Sequence, residues 1–311
     1  MVIYSVFVPI YNEEGNIIQL FEEIKDAMNS ISKSWELILI NDGSSDKSLE
    51  EMRELPSWVR IIDLQKNYGQ AVAMDVGFRE SRGEYIISLD GDLQNDPKDI
   101  PRLIAKLKKE NLDVVAGWRK KRKDPMWMLI ITKTAKFLRG FLASDVVNDS
   151  GCTLRVYKRK FVKDLELWGE MHRYIMAILQ WRGAKISDLA VNHRARIHGV
   201  SKYNWKKSFK GLVDLAYVWF LKKFSSRPLH LFGITGIFLG SLGFVTGLWS
   251  VYLKIFRSVS ISDSAWAVLS SFLVIVGIQF FIFGIILDLL IRIQQKTGLE
   301  KRYKYEELRR K

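Results

Sequence analysis

"GEYIISLDGDLQNDP", residues 83–97, decides how the rest of the chain is read. A short apolar run ends abruptly in three acids within seven residues, Asp90, Asp92 and Asp96. An apolar run of this length, bounded by turn residues, reads as a buried strand. The same pattern repeats on both sides. "YSVFVPI" (4–10), "WELILIND" (35–42), "VRIIDLQ" (59–65) and "LDVVAGWR" (112–119) read as further strands. Helical patterns separate them. In "EGNIIQLFEEIKDAM" (14–28), Ile17, Leu20, Phe21, Ile24 and Met28 share one face. A second helix follows the turn "DGSSD", and "GQAVAMDVGFRES" (69–81) and "PKDIPRLIAKLKKE" (97–110) suit two more. Strands alternating with helices predict an α/β fold, Rossmann-like, with a mainly parallel sheet.

In such sheets the chemistry lies just beyond the carboxyl ends of the strands. That rule gathers a set of candidates. The first strand ends at Pro9, Tyr11, Asn12 and Glu13, and the second at Asn41 and Asp42. The fourth ends at Asp90, Gly91, Asp92 and Gln94, and the fifth at Arg119. The first turn reads "YNEEGN" and lacks G-x-G-x-x-G, so a glycine-rich phosphate cradle is not the binding device. Asp90 and Asp92 flank a single residue, so both side chains can reach one divalent ion. Hard oxygen ligands suit Mg²⁺ or Mn²⁺. The expected arrangement is carboxylates holding a cation that in turn holds a diphosphate.

The chain has 311 residues and formal net charge +14, with 48% hydrophobic and 26% charged residues. That mixture suggests a soluble part joined to a membrane part. "LHLFGITGIFLGSLGFVTGLWSVYL" (229–253) and "AWAVLSSFLVIVGIQFFIFGIIL" (265–287) each exceed the roughly 20 residues that cross a bilayer core. The short loop between them makes a hairpin, two spans with both ends on one side. Lys222, Lys223 and Arg227 precede the first span. Arg292, Lys296, Lys301, Arg302, Lys304, Arg309, Arg310 and Lys311 follow the second, whereas the loop offers only Lys254 and Arg257. The excess of cations predicts that the catalytic domain and both termini are cytoplasmic. "MVIYSVFVPIYNEE" reads as a strand followed by acids rather than as a signal peptide. "WKKSFKGLVDLAYVWFLKKF" (205–224) has the pattern of a basic amphipathic helix, and "DPMWMLIITKTAKFLRGFL" (124–142) is a second interfacial candidate. Packing against the globular domain is the alternative for both. Basic segments beside an anionic leaflet account for much of the charge without nucleic acid. The expected divisions are a catalytic domain at 1–204, a juxtamembrane helix at 205–227, the hairpin at 228–293 and a basic tail at 294–311. The single cysteine, Cys152, excludes an internal disulfide framework and reads as a small core residue.

"VPIYNEEGNI", "LINDGSSDKS", "KNYGQAVAMDVGF", "DGDLQNDP", "VAGWR" and "HGVSKY" together resemble family 2 glycosyltransferases with the GT-A fold. More closely, the chain resembles the polyprenyl-phosphate glycosyltransferases. These include dolichol-phosphate mannose synthase and the bactoprenol glucosyltransferase and undecaprenyl-phosphate aminoarabinose transferase types. The resemblance covers 1–225 by motif, and the hairpin matches the two bacterial types. It implies inverting transfer from a nucleotide-diphosphate sugar donor to a polyprenyl phosphate at the membrane. By position it implies that Pro9, Tyr11, Asn12, Glu13 and Asp42 contact the nucleoside. Asp90, Asp92 and Gln94 would bind metal and diphosphate, and Arg119 would meet phosphate. Arg196 and Lys202, in "RIHGVSK", match a loop that closes over donor and acceptor phosphates. Relatives of this architecture can assemble as tetramers.

The acceptor implied is a phosphate monoester, mostly dianionic at neutral pH because its second pKa is near roughly 6. It is already a nucleophile, so positioning and electrostatics should carry most of the rate. "SGCTLR" (150–155) departs from glucosyltransferase-type relatives, which have an Asp where Cys152 or Thr153 stands, and a base at that position is in doubt. Plainer roles compete with several assignments. Asp42 could cap its following turn, Glu13 the first helix, and Lys202 could be a surface charge. "RKKRK" (119–123) reads as a solvated or headgroup patch apart from Arg119. His193 and His198 lack the paired spacing of metal ligands. Arg155 and Arg173 suit either phosphate contacts or salt bridges. The likeness of "KNYGQAVAM" to the bacterial types implies UDP-glucose or a similar UDP-sugar as donor, the likeness of "GCTLR" to the aminoarabinose transferase type keeps a UDP-pentose open, and GDP-mannose also stays open. A processive polysaccharide synthase fits less well, since "LQWRG" departs from Q-x-x-R-W and two spans do not enclose a pore. A catalytically silent membrane scaffold and a nucleic-acid binder are the remaining alternatives.

Overall fold

The computed structural model describes residues 2–120, 147–167, 169–194, 220, 223–224, 228–257, 260, 264–297 and 305–308. Two compact units make up the chain: Met1–Val218 with Tyr303–Lys311, and Trp219–Arg302. In the first, β1 (Tyr4–Ile10), β2 (Trp35–Asn41), β3 (Arg60–Leu64), β4 (Tyr85–Ser88) and β5 (Val114–Trp118) stand where the sequence predicts strands. Between them lie α1 (Ile17–Asn29), α2 (Ser48–Glu54), α3 (Gln70–Glu80) and α4 (Ile100–Lys109). The apolar face read for α1 is the buried one: Ile17, Leu20, Phe21, Ile24 and Met28 all enter the core. β4 stops at Ser88, so Asp90 lies two residues beyond the ladder, in the loop above it.

Further elements lie outside the sequence reading. β6 (Arg155–Lys158) is followed by the short helix α5 (Arg159–Val162), then α6 (Ile175–Trp181) and β7 (Ile186–Ala190). A strand from the carboxyl-terminal stretch, β8 (Tyr305–Leu308), closes one edge by pairing antiparallel with β3, so the stretch read as a basic tail contains an ordered element. The sheet order is β7-β5-β6-β4-β1-β2-β3-β8. β1 pairs parallel with both β2 and β4, β2 with β3, and β5 with β7. β6 runs antiparallel between β4 and β5. The sheet is therefore mixed and mostly parallel, of the GT-A, Rossmann-like kind.

This order positions the site. The chain leaves β1 toward β2 on one side and returns to β4 on the other, which opens a crevice beyond the carboxyl ends of β1 and β4. Because β6 is antiparallel, the turn that precedes it rises at the same end. Residues 149–154 thus stand beside the acids that follow β4.

The second unit holds α7 (Pro228–Arg257) and α8 (Ala265–Thr297), of 30 and 33 residues. At 1.5 Å per residue each is about 45–50 Å long, more than the hydrocarbon core requires. Mean hydropathy reaches 1.8 and 2.6 in their spanning windows, which are mostly exposed. Exposed Phe238, Phe244, Phe272 and Phe283 fit a lipid solvent rather than a protein core. The helices meet through glycines. A Cβ on Gly236 would lie 2.6 Å from the carbonyl oxygen of Gly277, so only glycine lets the backbones approach this closely.

Candidate active site

Asp90 is held from two sides. Gln70, the first residue of α3, donates from Nε2 to Asp90 Oδ1 at 2.9 Å. The hydroxyl of Thr153, on the turn before β6, also hydrogen-bonds to the Asp90 carboxylate. Thr153 is fixed in turn by Asn95, whose Nδ2 lies 3.0 Å from Oγ1. Asp92 is buried, and its Oδ1 accepts the backbone N–H of Gln94 at 3.2 Å. Between Asp92 and Gln94, Leu93 is fully buried at φ 59°, a left-handed conformation that leucine seldom adopts. Its apolar anchor holds the turn in that shape against a cost of about 1–3 kcal/mol. Gly91 is packed against the first strand; a Cβ there would meet Ile10 Cδ1 at 2.6 Å.

Although Asp90 keeps some surface open to the crevice, burial and then the charge of Asp92 push its carboxyl up to about 6. The Thr153 hydroxyl, Arg119 and Arg155 pull the other way. A buried carboxylate beside a second carboxylate suits a divalent cation. Among the described residues no third His, Cys, Asp or Glu joins them. Two carboxylates leave positions for water and phosphate oxygens, which is the donor set Mg²⁺ prefers. The residues present therefore fit the cation expected from the sequence.

Arg119 follows β5. Its Nε lies 2.6 Å from Asp149 Oδ2 and its Nη2 2.9 Å from Oδ1, a two-pronged pair. Burial disfavours the cation, but the Asp149 bonds outweigh it and the Arg119 pKa is raised. Asp149 has no role in the sequence reading. It lies one residue before "SGCTLR", and nothing in the pattern pairs it with Arg119.

The same turn holds Cys152 and Thr153, the position at which the resemblance implies an acid in glucosyltransferase-type proteins. Cys152 is buried, with Sγ 3.8 Å from Asn95 Oδ1, and burial pushes its thiol up to about 11. Thr153 is committed to Asp90 and Asn95. Neither is a base at neutral pH. Arg155 is buried inside β6, where its Nε and Nη2 donate to the carbonyl oxygens of Cys152 and Ser150 at 2.7 and 2.6 Å. It frames the turn. Arg173 pairs with Glu170 at 2.8 Å on the surface. His193 is joined to Asn95 by an isolated backbone bridge.

On the β1 side, Tyr11 is exposed and Pro9 half-buried. Asn12, at φ 55°, accepts the N–H of Ser45 at 2.8 Å and donates its own to Ser44 Oγ at 3.1 Å. Glu13 donates its N–H to Ser48 Oγ at 2.8 Å, and its carboxylate accepts from Asn16 Nδ2 at 2.8 Å. These bonds tie the β1 and β2 loops together. Asp42 departs from the turn-capping alternative. Its two oxygens accept the N–H groups of Tyr68 and Gly69, at 2.8 and 2.9 Å, clamping the turn before α3. The carbonyl oxygen of Gln94 accepts the N–H of Arg194 at 2.9 Å, while the Arg194 guanidinium bridges Glu23 and Asp96, both at 2.7 Å. Arg196, Lys202, His198, most of "RKKRK", the segment 124–142 and all of 205–224 except 220, 223 and 224 lie outside the described residues.

Comparison with known proteins gives the following. The model for "Glycosyl transferase family 2" matches residues 5–166. The chain is 36% identical over 306 residues to a dodecaprenyl-phosphate galacturonate synthase of Rhizobium johnstonii, covering 96% of this chain and 90% of that one. It is 31% identical over 304 residues to an undecaprenyl-phosphate 4-deoxy-4-formamido-L-arabinose transferase of Salmonella choleraesuis, covering 96% and 91%. Glucosyl-3-phosphoglycerate synthase from Mycobacterium tuberculosis, solved with Mn²⁺, UDP and phosphoglyceric acid, superposes with a TM-score of 0.55 at 17% identity. That likeness covers 71% of this chain and 78% of the other and speaks for the fold.

Proposed function

From the premise that this chain belongs to glycosyl transferase family 2 and is a polyprenyl-phosphate sugar transferase, we propose the finer reaction: divalent-cation-dependent, inverting transfer from a UDP-sugar to a polyprenyl phosphate at the cytoplasmic membrane face. The observation that carries this reading is the Asp90–Asp92 pair just beyond β4, beside an Arg119 pinned by Asp149.

Asp90 and Asp92 would hold the cation, with the Gln94 side chain as the further ligand that the family resemblance implies. When bound, the cation neutralises negative charge on the leaving diphosphate. The chain's own groups supply the rest. Gly91 lets the acidic turn lie flat against the first strand. Arg119, gripped on one edge by Asp149, keeps further N–H donors for a phosphate oxygen. A protonated thiol at Cys152 takes no proton, which suits an acceptor that brings its own negative charge. Arg196 and Lys202 would steady the two phosphates. The cations flanking α7 and α8 support a cytoplasmic site.

The sugar is the part on which sequence and relatives diverge. The motif "KNYGQAVAM" favours UDP-glucose, whereas the named relatives handle galacturonate and 4-deoxy-4-formamido-L-arabinose. We place a UDP-uronic acid first, the formamido-pentose second and glucose third. The test is glycolipid formation by the full chain in nanodiscs containing undecaprenyl phosphate, with Mn²⁺ or Mg²⁺ and a panel of UDP- and GDP-sugars. One UDP-sugar should give a product that disappears with a chelator. Product that persists in chelator would remove the cation from the reaction, and product only from a GDP-sugar would overturn the nucleotide.

A further inference from the structure

We propose that Gln70 is a positioning residue for the divalent cation, orienting Asp90 through its side-chain amide while Asp42 fixes Gln70 by clamping the turn that leads into it. The proposal rests on the cation reading above and adds the residues that make the site competent before the cation arrives.

The path is continuous. Asp42 stands one residue past β2 and accepts the N–H groups of Tyr68 and Gly69. Gly69 has φ 93°, a conformation open to glycine, and directly precedes α3. Gln70 opens that helix and reaches across to Asp90 Oδ1 at 2.9 Å. A second glycine serves the same contact. Gly43, at φ 64°, lies so close to the Lys66–Asn67 peptide that a Cβ would approach it to 2.5 Å. The β2 loop is thus seated directly on the turn that carries Gln70. Thr153 holds Asp90 from the other side and is itself braced by Asn95.

The choice of groups has a physical reason. Asp90 and Asp92 repel each other when both are ionised, so an unheld Asp90 would turn its carboxylate away. A lysine or arginine would restrain it too, but would place a cation beside the intended one. An amide and a hydroxyl restrain the carboxylate with dipoles alone and leave its charge for the metal. Partners of this outer kind typically affect metal affinity about 10- to 100-fold.

The test uses the full chain in detergent, with free Mn²⁺ followed by electron paramagnetic resonance, titrated alone and again with UDP present. Gln70→Met keeps the volume and removes the donor, and Gln70→Asn keeps the donor but is one methylene too short. Both should bind Mn²⁺ about tenfold or more weakly while remaining folded without metal. In turnover the KM for Mn²⁺ should rise in step, with kcat at saturating Mn²⁺ within about threefold of the parent. Asp42→Asn should weaken Mn²⁺ binding in the same direction, and the Asp42→Asn, Gln70→Met double variant should lose less than the product of the two single losses. Should Gln70→Met fail to fold, Gln70→Asn decides. Parent-like Mn²⁺ affinity in the folded Gln70 variants would overturn the proposal. Fully multiplicative losses in the double variant would overturn the link from Asp42. A parent chain that binds no Mn²⁺ in either titration would instead bring down the cation reading itself.

Discussion

Replacing Asp90 by asparagine should stabilise the metal-free protein at neutral pH while destroying its response to metal. In the folded chain the Asp90 carboxyl is pushed up to about 6, against roughly 4 for an unfolded aspartate. The sign follows from linkage. A carboxyl whose folded pKa is raised contributes stability below the unfolded value, and loses it as pH rises through the folded one. Each tenfold change in proton affinity is worth about 1.4 kcal/mol, so the rise from roughly 4 to about 6 corresponds to about 3 kcal/mol of destabilisation above pH 6. Asparagine has no charge to desolvate and escapes that cost. It still accepts from Gln70 Nε2, but it no longer offers Thr153 a carboxylate oxygen, and that lost bond costs about 1 kcal/mol. The net expectation is about 2 kcal/mol, or about 4–8 °C in Tm for a unit of this size. Tryptophan-fluorescence melts of the full chain with chelator, at pH 4.5 and 7.5, measure it. Asp90→Asn should melt higher than the parent at pH 7.5, and no higher at pH 4.5. Added Mn²⁺ should raise the parent's Tm at pH 7.5 and leave the variant's unchanged. A variant that melts below the parent at pH 7.5 would show that Asp90 is not held at electrostatic cost, and the reasoning would fail.

Two other substitutions test the turn before β6. Cys152→Ala should keep kcat within about twofold, because a thiol titrating near 11 is protonated at neutral pH; a fall beyond tenfold at unchanged stability would restore a chemical role to that position. Asp149→Ala should lower stability by about 3 kcal/mol, since Arg119 and Asp149 are each less than 15% exposed and the variant strands a nearly buried guanidinium. It should also raise the KM for donor, and urea unfolding together with donor titrations would reveal a merely superficial pair if neither moved.

The regular elements were legible in the sequence because each carries a clean period. The apolar runs at 4–10, 35–42 and 59–65 are strands within a residue or two, and α1 buries the face its spacing predicts. α7 and α8 were legible from length and absence of charge alone. β6 was hidden because "RVYK" is short and places a buried arginine, Arg155, where pattern reading expects solvent. β7, "ISDLA", is half-exposed throughout and shows no apolar face. The acids after β4 were legible as a group, since they follow a strand directly. Their partners were not. Gln70, at the start of α3, and Thr153 and Asp149, in the turn before β6, meet Asp90 and Arg119 only because β4 lies beside β1 and β6 lies between β4 and β5, and strand order is not written in local periodicity. The expectation for Asp42 illustrates the same point. The alternative of capping its own following turn rests on local spacing, yet its oxygens are taken by the N–H groups of Tyr68 and Gly69, more than 25 residues on.

For the proposed reaction, charge balance carries a consequence beyond the pair at β4. Asp90 and Asp92, once ionised, offset the charge of one divalent ion, so the ion and its ligands together are near neutral. The donor's diphosphate and the acceptor's monophosphate then bring several negative charges into one crevice. Arg119 answers less of that than its formal charge suggests, because Asp149 binds it with both oxygens and the pair is neutral as seen from a distance. Arg155 is spent framing its turn, and Arg173 pairs with Glu170 on the surface. Arg194 is divided between Glu23 and Asp96. The arginines that the fold fixes near the acidic loop are therefore largely compensated before substrate arrives. For that reaction we propose that positive charge at the acceptor phosphate comes from Arg196 and Lys202, the first two lysine or arginine residues after Arg194.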